Sequence, residues 1–176
     1  MSTQNVYEPD LDGCPASLPW LSAEEQAAWR LMVSFHARLT GRLDDELRAA
    51  HGLSLRDYEV LAYLSEADGF ALRMAELAER LVVSPSGLTR RLDGLVRAGL
   101  VRRQACLSDK RGSLAVLSTA GRAALQDAAP THVAGVRRHV FDPLNREQLR
   151  QLTASMRALS ARLDAESPRH EPSLHG

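Results

Sequence analysis

Apolar side chains recur at helical spacing along most of the chain. From residue 22 onward, Ala28, Leu31, Met32, Phe35, Leu39, Leu43 and Leu47 keep the three-and-four alternation of one helix face. Ser22-Ala-Glu-Glu25 ahead of them is a capping-box signature, and His51-Gly52 ends the run. The pattern predicts one helix of about eight turns.

Ser54 is placed to cap a shorter helix carrying Tyr58, Leu61 and Leu64, with a stop near Asp68-Gly69. Met74, Leu77, Ala78 and Leu81 then form a third helical stripe. Ser84-Pro85 supplies an N-cap and a proline at the first helical position, so a fourth helix runs from there to Gly99. Its inward stripe is expected to be Leu88, Leu92, Leu95 and Val96, which leaves small and basic residues on the other faces. Strand-like residues 100–106 and 113–118 flank the turn Ser108-Asp109-Lys110-Arg111-Gly112, a plausible hairpin.

Helix returns at Thr119 and is expected to reach about Phe141, where Asp142-Pro143 breaks it. A last helix runs from Asn145 to about Asp164. Leu149, Leu152, Met156, Leu159 and Leu163 give it the seam of a helix packed along another helix. Residues 1–21, with three acids and no base, read as an extended arm, and residues 165–176 as a tail.

The 22 basic and 22 acidic side chains of the 176-residue chain cancel, but unevenly along its length. Residues 84–112 hold seven bases against two acids, a net charge of +5, whereas residues 22–83 carry −4 and the arm −3. A polyanion would be steered to one surface. A basic run is often only a solvated face. Here it sits on a helix opened by Ser-Pro-Ser-Gly, preceded by a short helix and followed by a basic-tipped hairpin, which is the helix-turn-helix and wing arrangement. Ser84, Ser86 and Thr89 are then candidates for phosphate or base-edge contacts, and Arg90 or Arg91 for a bidentate contact with guanine. Gly87 would allow close backbone approach. Lys110 and Arg111 at the hairpin tip suit phosphate and a narrow minor groove, with Asp109 orienting the Arg111 guanidinium.

Three features together resemble the MarR family of winged-helix regulators: MAELAERLVVSPSGLTRRLDGLVRAGLVRR at 74–103, SDKRGSLAVLSTAG at 108–121, and the long helices on either side. The resemblance spans roughly residues 22–164. It implies a mainly α fold with a small β-hairpin wing, a winged helix-turn-helix head (53–118) and a helical dimerisation region (22–52 and 119–164). It also implies a homodimer on a pseudo-palindromic duplex, acting as a repressor, and a small aromatic anion as effector; the cytoplasmic expectation comes instead from two cysteines that form no disulfide framework. The seam at 149–163, together with Val133, Val136 and Val140, independently calls for a partner helix. Trp29, Arg30, Val33, His36 and Tyr58 are candidates to line an effector cleft, or else are ordinary packing residues.

Other readings weigh less. Cys14 and Cys106 form no Cys-x-x-Cys, so neither a disulfide framework nor a zinc site is expected, and their positions fit a thiol switch poorly. His132 and His139 lack a third ligand for a metal. No phosphate loop, dinucleotide fingerprint, nucleophile elbow or His-Glu-x-x-His motif is present, so no enzyme and no cofactor are expected. Neither a secretion signal nor a membrane-spanning stretch is legible. A winged helix serving only protein contacts stays open as an alternative.

Overall fold

A computed structural model describes residues 20–105 and 113–166. The chain divides into two compact units, Met1–Arg38 and Leu39–Gly176.

In the first unit the chain enters α1 (Ala23–His51) through the expected capping box. The Ser22 N–H donates to Glu25 Oε2 at 2.7 Å, and the Glu25 N–H donates to Ser22 Oγ at 3.2 Å. The Ser22 backbone N–H first, and the Ser22 hydroxyl second, hold the Glu25 carboxyl below the usual carboxylate range. Leu31, Met32 and Phe35, the apolar face read from the spacing, are exposed.

In the second unit α1 buries Leu43 and Leu47. Asp44 accepts the Leu55 N–H at 2.8 Å and Arg48 Nε at 2.6 Å, which ties the start of α2 (Leu55–Glu66) to the helix before it. Ser54 caps α2 as expected, accepting from the Asp57 N–H at 3.1 Å. After α2 comes a 3-10 turn, Asp68–Phe70, and then a strand that the apolar pattern does not predict, β1 (Ala71–Arg73). Three residues are too few for alternation to show, and the pairing partner of β1 lies far along the chain.

The head continues with α3 (Met74–Arg80), α4 (Pro85–Arg97), β2 (Val101–Ala105) and β3 (Ser113–Leu117). The sheet order is β1-β3-β2, antiparallel throughout, with Leu72 opposite Ala115 and Arg103 opposite Ala115 on the other side. Leu61, Leu64, Leu77, Leu88 and Leu92 are sealed from solvent together with Val101 and Ala115 of the sheet. Burial of this cluster is the main favourable term holding the head together. Val96 departs from expectation: it is 38% exposed. At about 100° per residue it stands roughly 80° round from Leu88, on the flank of a stripe that Leu88, Leu92 and Leu95 already centre.

Ser118 caps α5 (Thr119–Val136), accepting from the Gly121 N–H at 2.9 Å. The α-helix ends five residues short of Phe141. A π-helical turn, Arg137–Phe141, takes over, closed by the Asp142 N–H on the Arg137 carbonyl at 2.8 Å. The wider turn brings two consecutive side chains to one carboxylate on α1: Arg138 Nη1 at 3.0 Å and His139 Nε2 at 2.9 Å from Glu46 Oε1. The His139 hydrogen bond, then the Arg138 charge, lower the Glu46 carboxyl. Asn145 and Gln148 form a second reciprocal cap at the start of α6 (Arg146–Glu166). No described residue of α6 is buried, Leu152 being half-buried. Among the described residues no helix is long and apolar enough to cross a membrane.

Candidate nucleic-acid interface

The turn from α3 into α4 fixes how α4 is presented. The Val83 N–H reaches the Ala78 carbonyl and the Val82 N–H the Glu79 carbonyl, both at 3.0 Å, a Schellman closure that stops α3 and reverses the chain. Ser84 then takes extended backbone angles, φ −66° and ψ 151°, and accepts the Gly87 N–H at 3.2 Å. Pro85 follows at the first helical position, as the sequence predicts.

Serine and threonine hydroxyls are already engaged locally. Ser84 and Ser86 Oγ lie 3.3 Å apart, and Thr89 Oγ1 donates to the Pro85 carbonyl at 2.9 Å. Thr89 must release that carbonyl before donating to a phosphate. A Cβ on Gly87 would stand 3.1 Å from Ser84 Oγ, so glycine here leaves room for the cap as well as for close approach.

Opposite the buried Leu88, Leu92 and Leu95, α4 exposes Ser86, Thr89 and Arg90, with Arg91 half-buried at the flank. Among the described residues no carboxylate lies within ion-pair reach of Arg90, Arg91 or Arg102. Arg103 differs: its Nη2 is 2.8 Å from Asp93 Oδ1 and donates to the Thr89 carbonyl at 3.0 Å. The sequence alone counts Arg103 among the unneutralised bases, because nothing local announces a contact between β2 and the middle of α4.

Asp109, Lys110 and Arg111, and also Cys14 and Cys106, lie outside the described residues. Of the candidate effector residues, Trp29 and Val33 are about half exposed, Arg30 Nη2 donates to Gln26 Oε1 at 3.5 Å, and His36 is exposed. In the second unit Tyr58 is buried, its ring centroid 4.5 Å from that of His132 on α5. His132 Nδ1 is buried without a hydrogen-bond partner among the described residues, and burial lowers its pKa. His139 stands on Glu46, and no cluster of three or more metal-type ligands occurs among the described residues. The seam residues Leu149, Met156, Leu159 and Leu163 are all exposed.

Two helices joined at a tight turn, a three-stranded sheet behind them and long flanking helices define a winged helix-turn-helix protein. The family model described as MarR family matches residues 51–112. AbsC, a MarR family transcriptional regulator from Streptomyces coelicolor, is 38% identical in sequence and superposes with a TM-score of 0.79 over 85% of this chain and 100% of its own. Sco3205, a MarR family transcriptional regulator of the same organism solved in complex with DNA, is 37% identical, with a TM-score of 0.79 over 90% of this chain and 96% of its own. The HTH-type transcriptional repressor YetL of Bacillus subtilis is 38% identical over 84 residues, 48% of this chain and 50% of that relative. The chain thus spans only half the length of YetL. The chain belongs to the MarR family, a family of transcriptional regulators and not of enzymes.

Proposed function

We propose that this protein is a homodimeric, sequence-specific DNA-binding repressor that lets go of its operator when a small aromatic anion binds. The observation that carries the reading is the outer surface of α4, where Ser86 and Arg90 are exposed opposite three sealed leucines, Arg91 is half-buried at the flank, and neither arginine has a carboxylate partner among the described residues. An α-helix of this kind fits a major groove, and unneutralised guanidinium groups read guanine or grip phosphate. In the sequence, Lys110 and Arg111 stand between β2 and β3 as two further cations of the same basic stretch.

Dimerisation through α6 is supported by its exposed apolar seam, a face that a monomer would leave in water. The winged head (53–118) would then be carried in two copies by the helical segments 22–52 and 119–164. For the effector, His132 Nδ1, buried beside Tyr58 with no hydrogen-bond partner among the described residues, offers one polar group to an aromatic ligand.

Selection of duplexes from a random pool by the purified protein tests this directly. Enriched sequences should contain an inverted repeat with half-site centres about 34 Å apart, or a multiple of that. Affinity should fall steeply with salt, and Arg111→Ala should flatten the logarithmic slope by about 0.9 for each phosphate that is no longer neutralised. A panel of aromatic carboxylates should include compounds that release the complex. No enrichment, and no duplex binding at low ionic strength, would overturn the reading.

A further inference from the structure

We propose that Arg103 is a positioning residue: it locks the middle turn of α4 to the wing and so sets base discrimination, without itself neutralising a phosphate. The inference rests on the reading of α4 as the DNA-contacting helix.

Strand geometry separates the two neighbouring arginines of β2. Successive side chains of a strand face opposite ways. Arg103 lies opposite Ala115, itself flanked by Leu72, both of them buried, so Arg103 belongs to the face of the sheet that packs on the helices. Arg102 lies opposite Val116 and points to the other face. A long cationic side chain at an inward register cannot stay in the core, and the guanidinium of Arg103 emerges over α4.

There it bridges one helical turn, reaching the Thr89 carbonyl at 3.0 Å and Asp93 Oδ1 at 2.8 Å. Arg90 and Arg91 project from that same turn. Asp93 is fastened from a second side, because its carbonyl accepts Arg97 Nε at 3.2 Å. With side chains 37% and 51% exposed, the Arg103–Asp93 pair contributes little to stability. What it fixes is geometry, for rotation of α4 against the hairpin moves the bases that Arg90 and Arg91 reach relative to the groove that the wing reaches.

The test uses the full chain with a duplex it has selected from a random pool, and with a scrambled duplex, both titrated over a salt series. The variants are Arg103→Met, Arg103→Lys, Asp93→Asn and the Arg103→Met/Asp93→Asn double, with circular dichroism on each. Arg103→Met and Asp93→Asn should each weaken the selected duplex by about two- to fivefold and leave the scrambled duplex and the salt slope unchanged. The double variant should be no weaker than either single one, and Arg103→Lys should recover part of the loss. Asp93→Asn is the sharpest arm, since deleting an acid tightens binding if charge alone counts.

A slope reduced by about 0.9 in Arg103→Met, with equal losses on both duplexes and tighter binding by Asp93→Asn, would make Arg103 a phosphate contact and overturn the proposal. Arg90→Ala, run in parallel, reports on the α4 reading separately. An unchanged affinity and slope there would fail that reading whatever Arg103 does.

Discussion

Val82 and Gly99 occupy the same point of two successive helix ends, each the left-handed residue after the cap, with φ of 52° and 72°. Both are closed by the same pair of hydrogen bonds: Val83 to Ala78 and Val82 to Glu79 after α3, Leu100 to Leu95 and Gly99 to Val96 after α4. Glycine adopts this conformation without strain, whereas a β-branched residue does not. The Val82 side chain, 91% exposed, gains no packing in return.

Replacing Val82 with Gly should therefore stabilise the protein. Relief of left-handed strain, about 1–2 kcal/mol, exceeds the extra backbone entropy of glycine, about 0.5–1 kcal/mol. A rise in Tm of roughly 1–4 °C is expected. A fall in Tm on thermal unfolding would show that valine is at ease in this turn.

Gly121 is required for a different reason. A Cβ there would sit 2.1 Å from the Leu100 carbonyl oxygen and 2.8 Å from Leu117 Cδ1. The same carbonyl accepts the Ser118 N–H and hydroxyl, both at 3.0 Å, so it cannot retreat without breaking the cap of α5. Gly121→Ala should cost about 3 kcal/mol or more. Gly94→Ala, in α4 with nothing within 4 Å of its Cβ, should be neutral or stabilising by up to about 1 kcal/mol. Chemical denaturation of the two variants side by side checks the contrast, and equal stabilities would refute it.

Local signals are legible from the residues alone. Ser22, Ser54 and Ser84 each announce a helix by a cap, and each cap forms. The leucine stripes of α2, α3 and α4 are the head's core. Non-local and exceptional features are not legible. β1 exists only because β3 offers it an edge, and Arg103 meets Asp93 only once β2 folds back along α4. Val82 marks a turn where sequence rules look for glycine. Val96 fits the helical period and still lies outside the packed face. Of the site, the α4 face is legible in type. The division of labour between Arg102 and Arg103 needs the strand register.

His132 should make stability fall in mildly acidic solution. Desolvation beside Tyr58 lowers its pKa from the usual value of about 6.5. Between that value and the lower folded-state value the unfolded chain binds the extra proton, so stability is complete above about pH 6.5 and declines as pH drops through the window. Carboxylates held down in the fold, Asp44 and Glu46, add their loss at lower pH, below their usual range. His132→Phe keeps a ring against Tyr58 but carries no proton. Its stability, measured by denaturant between pH 7.5 and 5, should decline less than that of the parent protein, and parallel curves would sink the assignment.

The seam of α6 carries the last prediction. Leu159 and Leu163 are 52% and 66% exposed, so Leu159→Glu with Leu163→Glu should leave the fold of one chain intact. In a symmetric dimer each substitution occurs twice. Removing four leucines from a buried interface, at about 1.5–3 kcal/mol each, takes away roughly 6–12 kcal/mol and carries a nanomolar association beyond the micromolar range. Sedimentation at micromolar protein should then show a monomer with unchanged helical content. Affinity for a two-half-site duplex should fall towards that of a single half-site, because the second head is no longer held in reach of the first. A variant that still sediments as a dimer would place the interface on another surface.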